Sequence, residues 1–305
     1  MKHLGVSTPA SQLGGIYYIV AACLFFAALD TSTKVAGLLA PVLMLLWFRY
    51  LFQAVATAAL RLPVQGMALF ATRNPRFQLI RGALLLITSA CSFYGLQYLP
   101  VGEFTAIIML TPLFVTVLAA FQLNEKVSGL RWALLVGGLA GALLVVRPGG
   151  QVFGLAVLLP VAMVVSYAFF QALTRRMAGD ENPYTTHFYT GLVGTLVMSC
   201  IVPTAWDTQA LLTHWPWFVV LGFCGTFGHL MLIRAFARAP ASVLTPYLYT
   251  QIAFGTLGGW LAFRHAPDAL AWAGIALVAV CGVANGFLSA REYHRGHTPV
   301  LPLEG

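Results

Sequence analysis

The chain has 305 residues, of which 59% are hydrophobic and only 9% are charged. Soluble domains contain about 25% charged residues, so a soluble fold of this length would lack a polar surface. The composition therefore excludes a soluble protein and indicates an integral membrane protein. The net charge of +8 does not require nucleic acid as a partner, because basic loops on the inner side of a membrane protein produce such an excess.

Ten apolar runs along the chain are long enough to cross a bilayer, which takes about 20 residues of helix. The predicted spans are 13–32, 39–61, 79–98, 101–122, 132–147, 153–173, 185–204, 215–236, 242–263 and 269–290. The connections between them are short, and the first dozen residues show no cleavable signal peptide. We therefore predict an all-α integral membrane protein with ten transmembrane helices.

The distribution of Lys and Arg predicts the orientation of the chain. With the N-terminus in the cytoplasm, 13 of the 17 basic residues fall on the inner side, three fall on the outer side, and Arg49 lies within span 2. This asymmetry follows the positive-inside rule, and one missing or extra span would scatter the charges over both sides. We expect a multi-pass protein of the cell inner (plasma) membrane with both termini in the cytoplasm.

A weak internal repeat relates the two halves of the chain. A shift of about 140 residues aligns YLPVGEFTAIIMLTPLFVT with RAPASVLTPYLYTQIAFGT, and a shift of about 142 pairs Lys34 with Arg176 and Pro41 with Pro183. Each half contains five spans, and because five is odd, the second half enters the membrane from the opposite side. Inverted repeats of this kind are typical of secondary transporters, in which a cavity between the halves opens to either side in turn.

The repeat predicts the domain organisation. We expect a first five-helix repeat over residues 1–150, a second, inverted repeat over 151–291 and a flexible cytoplasmic tail over 292–305. The two repeats are expected to enclose a central cavity.

Recognisable motifs lie in the first helix pair and around helix 4. They comprise Lys34, Pro41 and Arg49, and the stretch ALLLITSACSFYGLQYLPVGEFTAIIMLTPLFVTVLAAFQLNEKVSGLRWALLVGGLAGALLVVRPG, in which LNEK contains Glu125. With these motifs the sequence resembles the drug/metabolite transporter superfamily, in particular the EamA-type ten-helix transporters that include the YddG-type amino-acid exporters. The second half departs from the pattern, because His265 occupies the place that matches Glu125. The resemblance implies a basket of helices 1–4 and 6–9 around a central cavity, with helices 5 and 10 outside it.

Arg49 lies in the middle of the apolar stretch LMLLWFRYLFQAVATAAL. A charged side chain at the centre of a membrane helix costs about 2.5–3.5 kcal/mol on insertion scales, so Arg49 is expected to face protein or water. One interpretation is structural: Asp30, near the outer end of antiparallel helix 1, neutralises Arg49, while Lys34 one turn later competes for Asp30. The other is functional: Arg49 binds an anionic group such as a substrate carboxylate through two parallel hydrogen bonds.

Aromatic and amide side chains form a second group of interest on the helices around the expected cavity. The group consists of Tyr94, Gln97, Tyr167, Gln171, His229, Tyr247, Tyr249 and Gln251. Such a set suits a neutral or zwitterionic substrate with an apolar or ring-bearing part. The candidate substrate-binding residues are Arg49, Tyr94, Gln97, His229, Tyr249 and Gln251. The alternatives are a place in the interfacial aromatic belt for the tyrosines and a packing role for His229.

Three prolines interrupt the predicted helices: Pro112 in helix 4, Pro160 in helix 6 and Pro246 in helix 9. Each removes a backbone hydrogen bond and favours a kink. We assign these prolines, together with Asp30 and Lys34, to structural or gating roles, in which the prolines are either hinges or static bends.

The sequence contains no P-loop, no metal-ligand spacing and no paired acids on one helix, so we expect no enzyme, no catalytic or metal site and no cofactor. The leading hypothesis is a secondary transporter that exports small amphiphilic metabolites by alternating access. The family resemblance adds the direction and the favoured class, neutral or aromatic amino acids. The alternatives are an importer of a vitamin or nucleoside-like metabolite and a non-transporting membrane receptor or scaffold. The expected partners are a small-molecule substrate and the lipid bilayer, without nucleic acid, and the expected state is a monomer or weak homodimer.

Overall fold

The structure is a computed structural model that describes residues 9–98, 107–122, 125, 127–146, 158–263 and 268–296. The described chain folds into helices joined by short connections. In chain order these are α1 (Pro9–Ala36), α2 (Val42–Gln65), α3 (Pro75–Tyr98), α4 (Thr111–Gln122), α5 (Gly129–Val146), α6 (Leu158–Met177), α7 (Pro183–Ile201), α8 (Thr208–Arg238), α9 (in three pieces, Ala241–Leu244, Thr245–Tyr249 and Thr250–Phe263) and α10 (Ala269–Gly296).

Each predicted span corresponds to one of these helices, and the predicted all-α membrane fold is confirmed. Six stretches of the described chain are long and apolar enough to cross a membrane: Ser11–Ala36, Val42–Phe70, Pro75–Gly95, Leu158–Met177, Pro183–Ala205 and Thr208–Arg238. Three further apolar helices are shorter over the described residues, namely Thr111–Gln122, Gly129–Leu144 and Ala269–Asn285. The remaining span, α9, is divided into pieces.

The helix ends are set by residues that satisfy free backbone groups or tolerate an unusual backbone conformation. Asn182 caps α7 by accepting a hydrogen bond from the N–H of Tyr184 at 2.9 Å. Asp207 caps α8 by accepting one from the N–H of Ala210 at 2.9 Å. α2 ends at Gly66, whose φ of 56° lies in the left-handed region that glycine adopts without strain.

Two stretches that we predicted as connection or tail are helical. The segment between predicted spans 2 and 3, LPVQGMALFATRNPRFQ, contains the end of α2, a 3-10 helix over Gly66–Phe70 and the start of α3. Only residues 71–74 therefore form the connection. α10 continues to Gly296, so residues 292–296 belong to a helix rather than to a flexible tail. The physical reason is that a helix continues through polar residues beyond the end of an apolar run, and α2 stops only at a breaker, Gly66. Residues 297–305 lie outside the described residues.

The helices pack in pairs that the two halves repeat. α1 packs against α8 as α6 packs against α3, and α1 packs against α9 as α6 packs against α4. α2 contacts α8 as α7 contacts α3, while α2 pairs with α7 and α5 pairs with α10. If each helix is exchanged for the helix five places away in the chain, α1–α8 becomes α6–α3, α1–α9 becomes α6–α4, and α2–α8 becomes α7–α3. The pairs α2–α7 and α5–α10 map onto themselves. This pattern is that of two inverted five-helix repeats, as predicted, whereas the boundary expected near residue 150 lies outside the described residues and stays a prediction.

α5 and α10 pair closely because small residues lie between them. A Cβ atom on Gly141 would lie 2.9 Å from the carbonyl oxygen of Gly274 on α10. Glycine at such a position lets two membrane helices approach backbone to backbone. α5 also approaches α9 closely, but here the glycine makes room for a side chain, because a Cβ atom on Gly138 would lie 2.6 Å from Cδ2 of Tyr249.

The ninth span changes pitch in the middle of the protein. Its central piece, Thr245–Tyr249, is a 3-10 helix with Pro246 near its start, which turns about 120° per residue instead of about 100°. Thr245 is held there by a hydrogen bond between its hydroxyl and that of Thr116 on α4, at 2.7 Å. The changed pitch rotates Tyr249 relative to a continuous α-helix, and its ring packs on Gly138 of α5.

Replacement of Gly138 by Ala is expected to lower the melting temperature of the purified protein in detergent. The new methyl group would lie 2.6 Å from the buried Tyr249 ring, and overpacking costs about 1–3 kcal/mol. Gly129→Ala on the same helix is the matched control, since nothing lies within 4 Å of a Cβ atom there. A fluorescence-monitored thermal scan measures both variants, and equal melting temperatures would contradict the packing of α9 on α5.

Candidate functional site

A cavity of about 430 Å³ lies between the two halves of the molecule. Residues of α1, α2, α3, α4, α6, α8 and α9 line it, whereas α5, α7 and α10 contribute none of the described lining residues. The cavity extends from Arg49 on α2 and His229 on α8 to Lys34 near the end of α1. We call the face of the molecule at which α1 begins and α10 ends the terminal side, and the face near Lys34 the distal side.

Arg49 lies in the cavity wall and is only 3% exposed. Its Nη1 donates a hydrogen bond to Ser89 Oγ at 2.6 Å, and its Nη2 donates one to Nε2 of His229 at 2.8 Å. Ser89 is also hydrogen-bonded to the hydroxyl of Tyr50, at 2.8 Å. Within the described residues Arg49 forms no ion pair, and its Nε has no partner. The hydrogen-bond partners of the guanidinium are therefore neutral groups, and the described residues provide no direct ion pair for it.

The contact with Arg49 determines where His229 carries its proton. A guanidinium has donors only, so Nε2 of His229 is the acceptor and the neutral ring carries its proton on Nδ1. The ring lies between Phe26 and Phe170, with centroid distances of 4.8 Å and 5.8 Å. His229 therefore positions Arg49 and leaves its charge intact.

The two partners of Arg49 are related by the internal repeat. Ser89 on α3 and His229 on α8 are separated by the shift of about 140 residues that aligns the two halves. Arg49 therefore bonds to equivalent positions of both repeats, at the interface between them. Gly225 on α8 provides the space, because a Cβ atom there would lie 2.8 Å from Nε of Arg49.

Asp30 also lines the cavity, but it is not the partner of Arg49. Its carboxylate accepts a hydrogen bond from Nε2 of Gln251 on α9 at 2.8 Å, and no ion pair with Arg49 occurs among the described residues. The described residues thus show no direct pair between Asp30 and Arg49, because α9 packs beside α1 and supplies Gln251 as the partner of Asp30. Neutralisation of Arg49 by Asp30 across the cavity stays a prediction. Asp30 and Lys34 are exposed within the cavity wall, which therefore carries both signs of charge.

Tyr167 and Gln171 on α6 line the cavity although they are outside the candidate set. Gln171 is fully buried, and neither its amide nitrogen nor its amide oxygen has a partner among the described residues. Tyr167 is half-buried and stacks on Phe170, with ring centroids 5.8 Å apart. The sequence signal that could have selected them is their spacing of four residues, which puts both on one face of a helix.

Two candidate binding residues, Tyr94 and Tyr249, are not among the described residues that line the cavity. Tyr94 is half-buried on α3, whose contribution to the lining includes Ser89, Ser92 and Phe93. Tyr249 is fully buried and faces α5, as the pitch of α9 requires. The side chain of Gln97 lies outside the described residues.

The three prolines occupy different environments. Pro112 lines the cavity as the second residue of α4, and its carbonyl accepts a hydrogen bond from the hydroxyl of Thr116 at 2.8 Å. Pro246 belongs to the 3-10 piece of α9, and Pro160 lies in the first turn of the described part of α6. Neither of these two lines the cavity, and a gating role for all three stays a prediction.

Glu125 closes the terminal side of the cavity by joining the two halves. It forms an ion pair with Nε of Arg175 at 3.2 Å. The same carboxylate accepts hydrogen bonds from the backbone N–H groups of Ala241 at 3.2 Å and Ser242 at 2.9 Å. Arg175 also donates to the carbonyl of Phe236 at 2.8 Å. We call Glu125, Arg175 and the first two residues of α9 the terminal latch.

A second carboxylate strengthens this closure. Oε1 of Glu181 accepts hydrogen bonds from the Thr72 hydroxyl and from the N–H groups of Arg73 and Asn74, each at 2.9 Å. Bonds of this kind hold the two repeats together on the terminal side, while the cavity continues to Lys34 on the distal side. Among the described residues, the cavity is therefore closed toward the terminal side, whereas the distal connections 99–106, 147–157 and 264–267 lie outside the described residues.

Arg81 is a second buried cation, and it lies within α3, near the inner end of the predicted span, at 0% exposure. Its Nε donates to the Thr174 hydroxyl at 2.7 Å, and its guanidinium carbon lies 4.5 Å from the centroid of the Phe170 ring. Phe170 thus separates Arg81 from His229 and the cavity.

Comparison with known proteins gives matches over both halves of the chain. Residues 13–147 and 154–284 each match the model of the EamA-like transporter family. A solved crystal structure superposes with a TM-score of 0.76 at 20% identity, covering 91% of this chain and 98% of its own. At that identity the superposition is informative about the fold alone.

The curated relatives include transporters with different substrates. An S-adenosylmethionine uptake transporter of Rickettsia bellii (strain RML369-C) is 25% identical over 254 residues, which cover 83% of this chain and 87% of the relative. The pseudopaline exporter CntI of Pseudomonas aeruginosa (strain PAO1) is 26% identical over 276 residues, 88% of this chain and 95% of the relative. A riboflavin transporter of Vibrio cholerae serotype O1 is 27% identical over 208 residues, 68% of this chain and 70% of the relative.

Removal of the charge in the terminal latch, by Glu125→Gln, is expected to accelerate amide hydrogen exchange at the start of α9 by about tenfold or more. Hydrogen bonds to a charged group contribute about 1.5–3 kcal/mol, and exchange reports the free energy of local opening. Exchange followed by mass spectrometry on peptides that contain Ala241 and Ser242 measures the effect. Asp207→Asn, which changes a carboxylate on the distal side, is the control, and equal exchange in wild type and Glu125→Gln would show that the latch does not hold this side closed.

Proposed function

Because the chain belongs to the EamA-like transporter family, we propose that it is a secondary transporter that exports small amphiphilic metabolites across the inner membrane by alternating access. Neutral and aromatic amino acids are the favoured substrates. Both termini lie in the cytoplasm in this proposal, which the excess of basic residues on the terminal side supports.

The observation that carries the proposal is the presence of two opposite charges in one cavity. Arg49 provides a buried guanidinium that is bonded only to neutral groups, and such a group binds a carboxylate through charge-assisted hydrogen bonds. Asp30 provides an exposed carboxylate that can receive an ammonium group. A zwitterion matches both charges without leaving an uncompensated charge in the membrane.

The apolar part of the cavity suits a substrate with a hydrophobic side chain. Phe26, Phe93, Met109, Met163 and Ile252 belong to the lining. Ligand sites commonly combine such apolar walls with a few polar groups that fix the orientation of the ligand. An amino acid with an aromatic or large aliphatic side chain would satisfy both parts.

The inverted repeats and the terminal latch support alternating access. In the present conformation the cavity is closed toward the termini by Glu125 and Arg175. Exchange of conformation between the two repeats would open the terminal side and close the distal one. Arg49, which bonds to equivalent positions of both repeats, would then be reachable from either side in turn.

A second candidate function is the uptake of a vitamin or a nucleoside-like metabolite. A cavity of about 430 Å³ lies within the range of sites for drug-sized ligands, so it has room for more than an amino acid. Relatives named for S-adenosylmethionine uptake and riboflavin transport favour the same alternative. A receptor or scaffold without transport predicts no counterflow of any labelled metabolite.

Replacement of Arg49 by Ala is expected to slow counterflow of labelled L-phenylalanine in proteoliposomes by about tenfold or more, because a charge-assisted hydrogen bond to substrate contributes about 1.5–3 kcal/mol. Arg76→Ala, at an exposed position in the first turn of α3, is the control and should leave the rate unchanged. Arg49→Lys should be intermediate, since it keeps the charge but loses the fork of donors. Small and equal effects of Arg49→Ala and Arg76→Ala would remove the basis of the proposal.

An imposed pH gradient is expected to leave the initial rate of phenylalanine uptake unchanged. Asp30 is the only acid among the described residues that line the cavity, and its carboxylate is already bonded to Gln251. We therefore expect transport down the gradient of the substrate itself. Uptake by proteoliposomes with equal and unequal internal pH decides the point, and strict dependence on the gradient would defeat facilitated transport.

A further inference from the structure

We propose that Gln171 and Tyr167 form a second subsite in the cavity, which binds a planar group with an adjacent hydrogen-bond donor and acceptor, such as the edge of a nucleobase. The inference rests on the proposed transport function and extends its substrate class. The preferred ligands then combine an amino-acid end with such a planar end.

The amide of Gln171 is the first observation behind this subsite. The residue lines the cavity at 0% exposure, and both its nitrogen and its oxygen lack a partner among the described residues. The other buried glutamines are better satisfied, because Nε2 of Gln53 donates to the His187 carbonyl at 3.0 Å and Nε2 of Gln78 donates to the Thr186 hydroxyl at 3.4 Å. A buried amide without partners is costly, so a ligand that supplies both an acceptor and a donor gains from binding there.

The ring of Tyr167 is the second observation. Tyr167 precedes Gln171 by one helical turn, and both residues line the cavity. The ring is half-buried and is backed by Phe170, whose plane makes an angle of 14° with it. A fixed ring of this kind offers a surface on which a planar ligand group can stack. An amide beside a stacking ring can then read the edge of that group, as glutamine reads the donor and acceptor of adenine.

The two subsites lie on different walls of one cavity. Asp30 and Gln251 belong to α1 and α9, Arg49 belongs to α2, and the second subsite belongs to α6. A ligand that spans them needs a charged end and a planar end joined by an apolar part. The volume of about 430 Å³ accommodates a ligand of this size.

Three ligands test the inference on the purified protein by isothermal titration calorimetry. L-Methionine carries the amino-acid end, adenosine carries the planar end, and S-adenosylhomocysteine carries both. Wild type is expected to bind S-adenosylhomocysteine more tightly than methionine. Gln171→Met, which keeps the size of the side chain and removes its polar atoms, should weaken binding of S-adenosylhomocysteine by about ten- to a hundredfold and leave methionine binding unchanged.

Two further variants separate recognition from general damage to the fold. Gln171→Glu keeps an acceptor and loses the donor, so it should also weaken S-adenosylhomocysteine and spare methionine. Gln53→Met changes a buried glutamine outside the cavity lining and should alter neither affinity. Thermal scans of all variants verify that each is folded.

The outcomes distinguish this inference from the proposed function. If methionine binds and S-adenosylhomocysteine binds no better, or if Gln171→Met weakens both ligands equally, the second subsite is refuted while the zwitterion site stands. If neither methionine nor phenylalanine binds wild type, the zwitterion site itself is refuted, and the inference that rests on it falls as well.

Discussion

A positive charge in the middle of a membrane has to be held by protein, because lipid offers it no partner. In this molecule the charge is Arg49, and the described residues around it hold it through hydrogen bonds rather than through a direct ion pair. Ser89 and a neutral His229 accept its hydrogen bonds, while the nearest acidic group in the cavity wall, Asp30, is bonded to Gln251. The cavity therefore contains a fixed cation and a fixed anion on separate helices.

The sequence predicted most of the helices and the central charge because each leaves a strong local signal. A run of about 20 apolar residues has few alternatives to a membrane helix, and Arg49 stands out within such a run. The placement of side chains around the helices was less predictable. Tyr249 faces α5 because of the 3-10 piece of α9, and the identity of Tyr249 does not predict that change of pitch.

Side-chain contacts between distant parts of the chain were equally difficult to predict from the sequence. Glu125 meets Arg175 and the start of α9 only after the intervening helices have packed and brought these elements together. Ser89 is a small hydroxyl residue in an apolar helix, and such residues are common there without any function. Its role as a partner of Arg49 follows from the crossing of α2 and α3, which depends on the packing of the whole repeat.

The residue at the centre of the terminal latch, Glu125, has an equivalent position in the second half of the sequence, but a different residue type occupies it. The shift of about 140 residues that relates the repeats carries Glu125 onto His265. An imidazole offers one neutral acceptor where a carboxylate offers two charged oxygens, so the sequence does not supply the second half with the anion on which the latch depends. The two faces of the transporter are therefore chemically unequal, and its two end states are expected to differ in free energy even without a substrate.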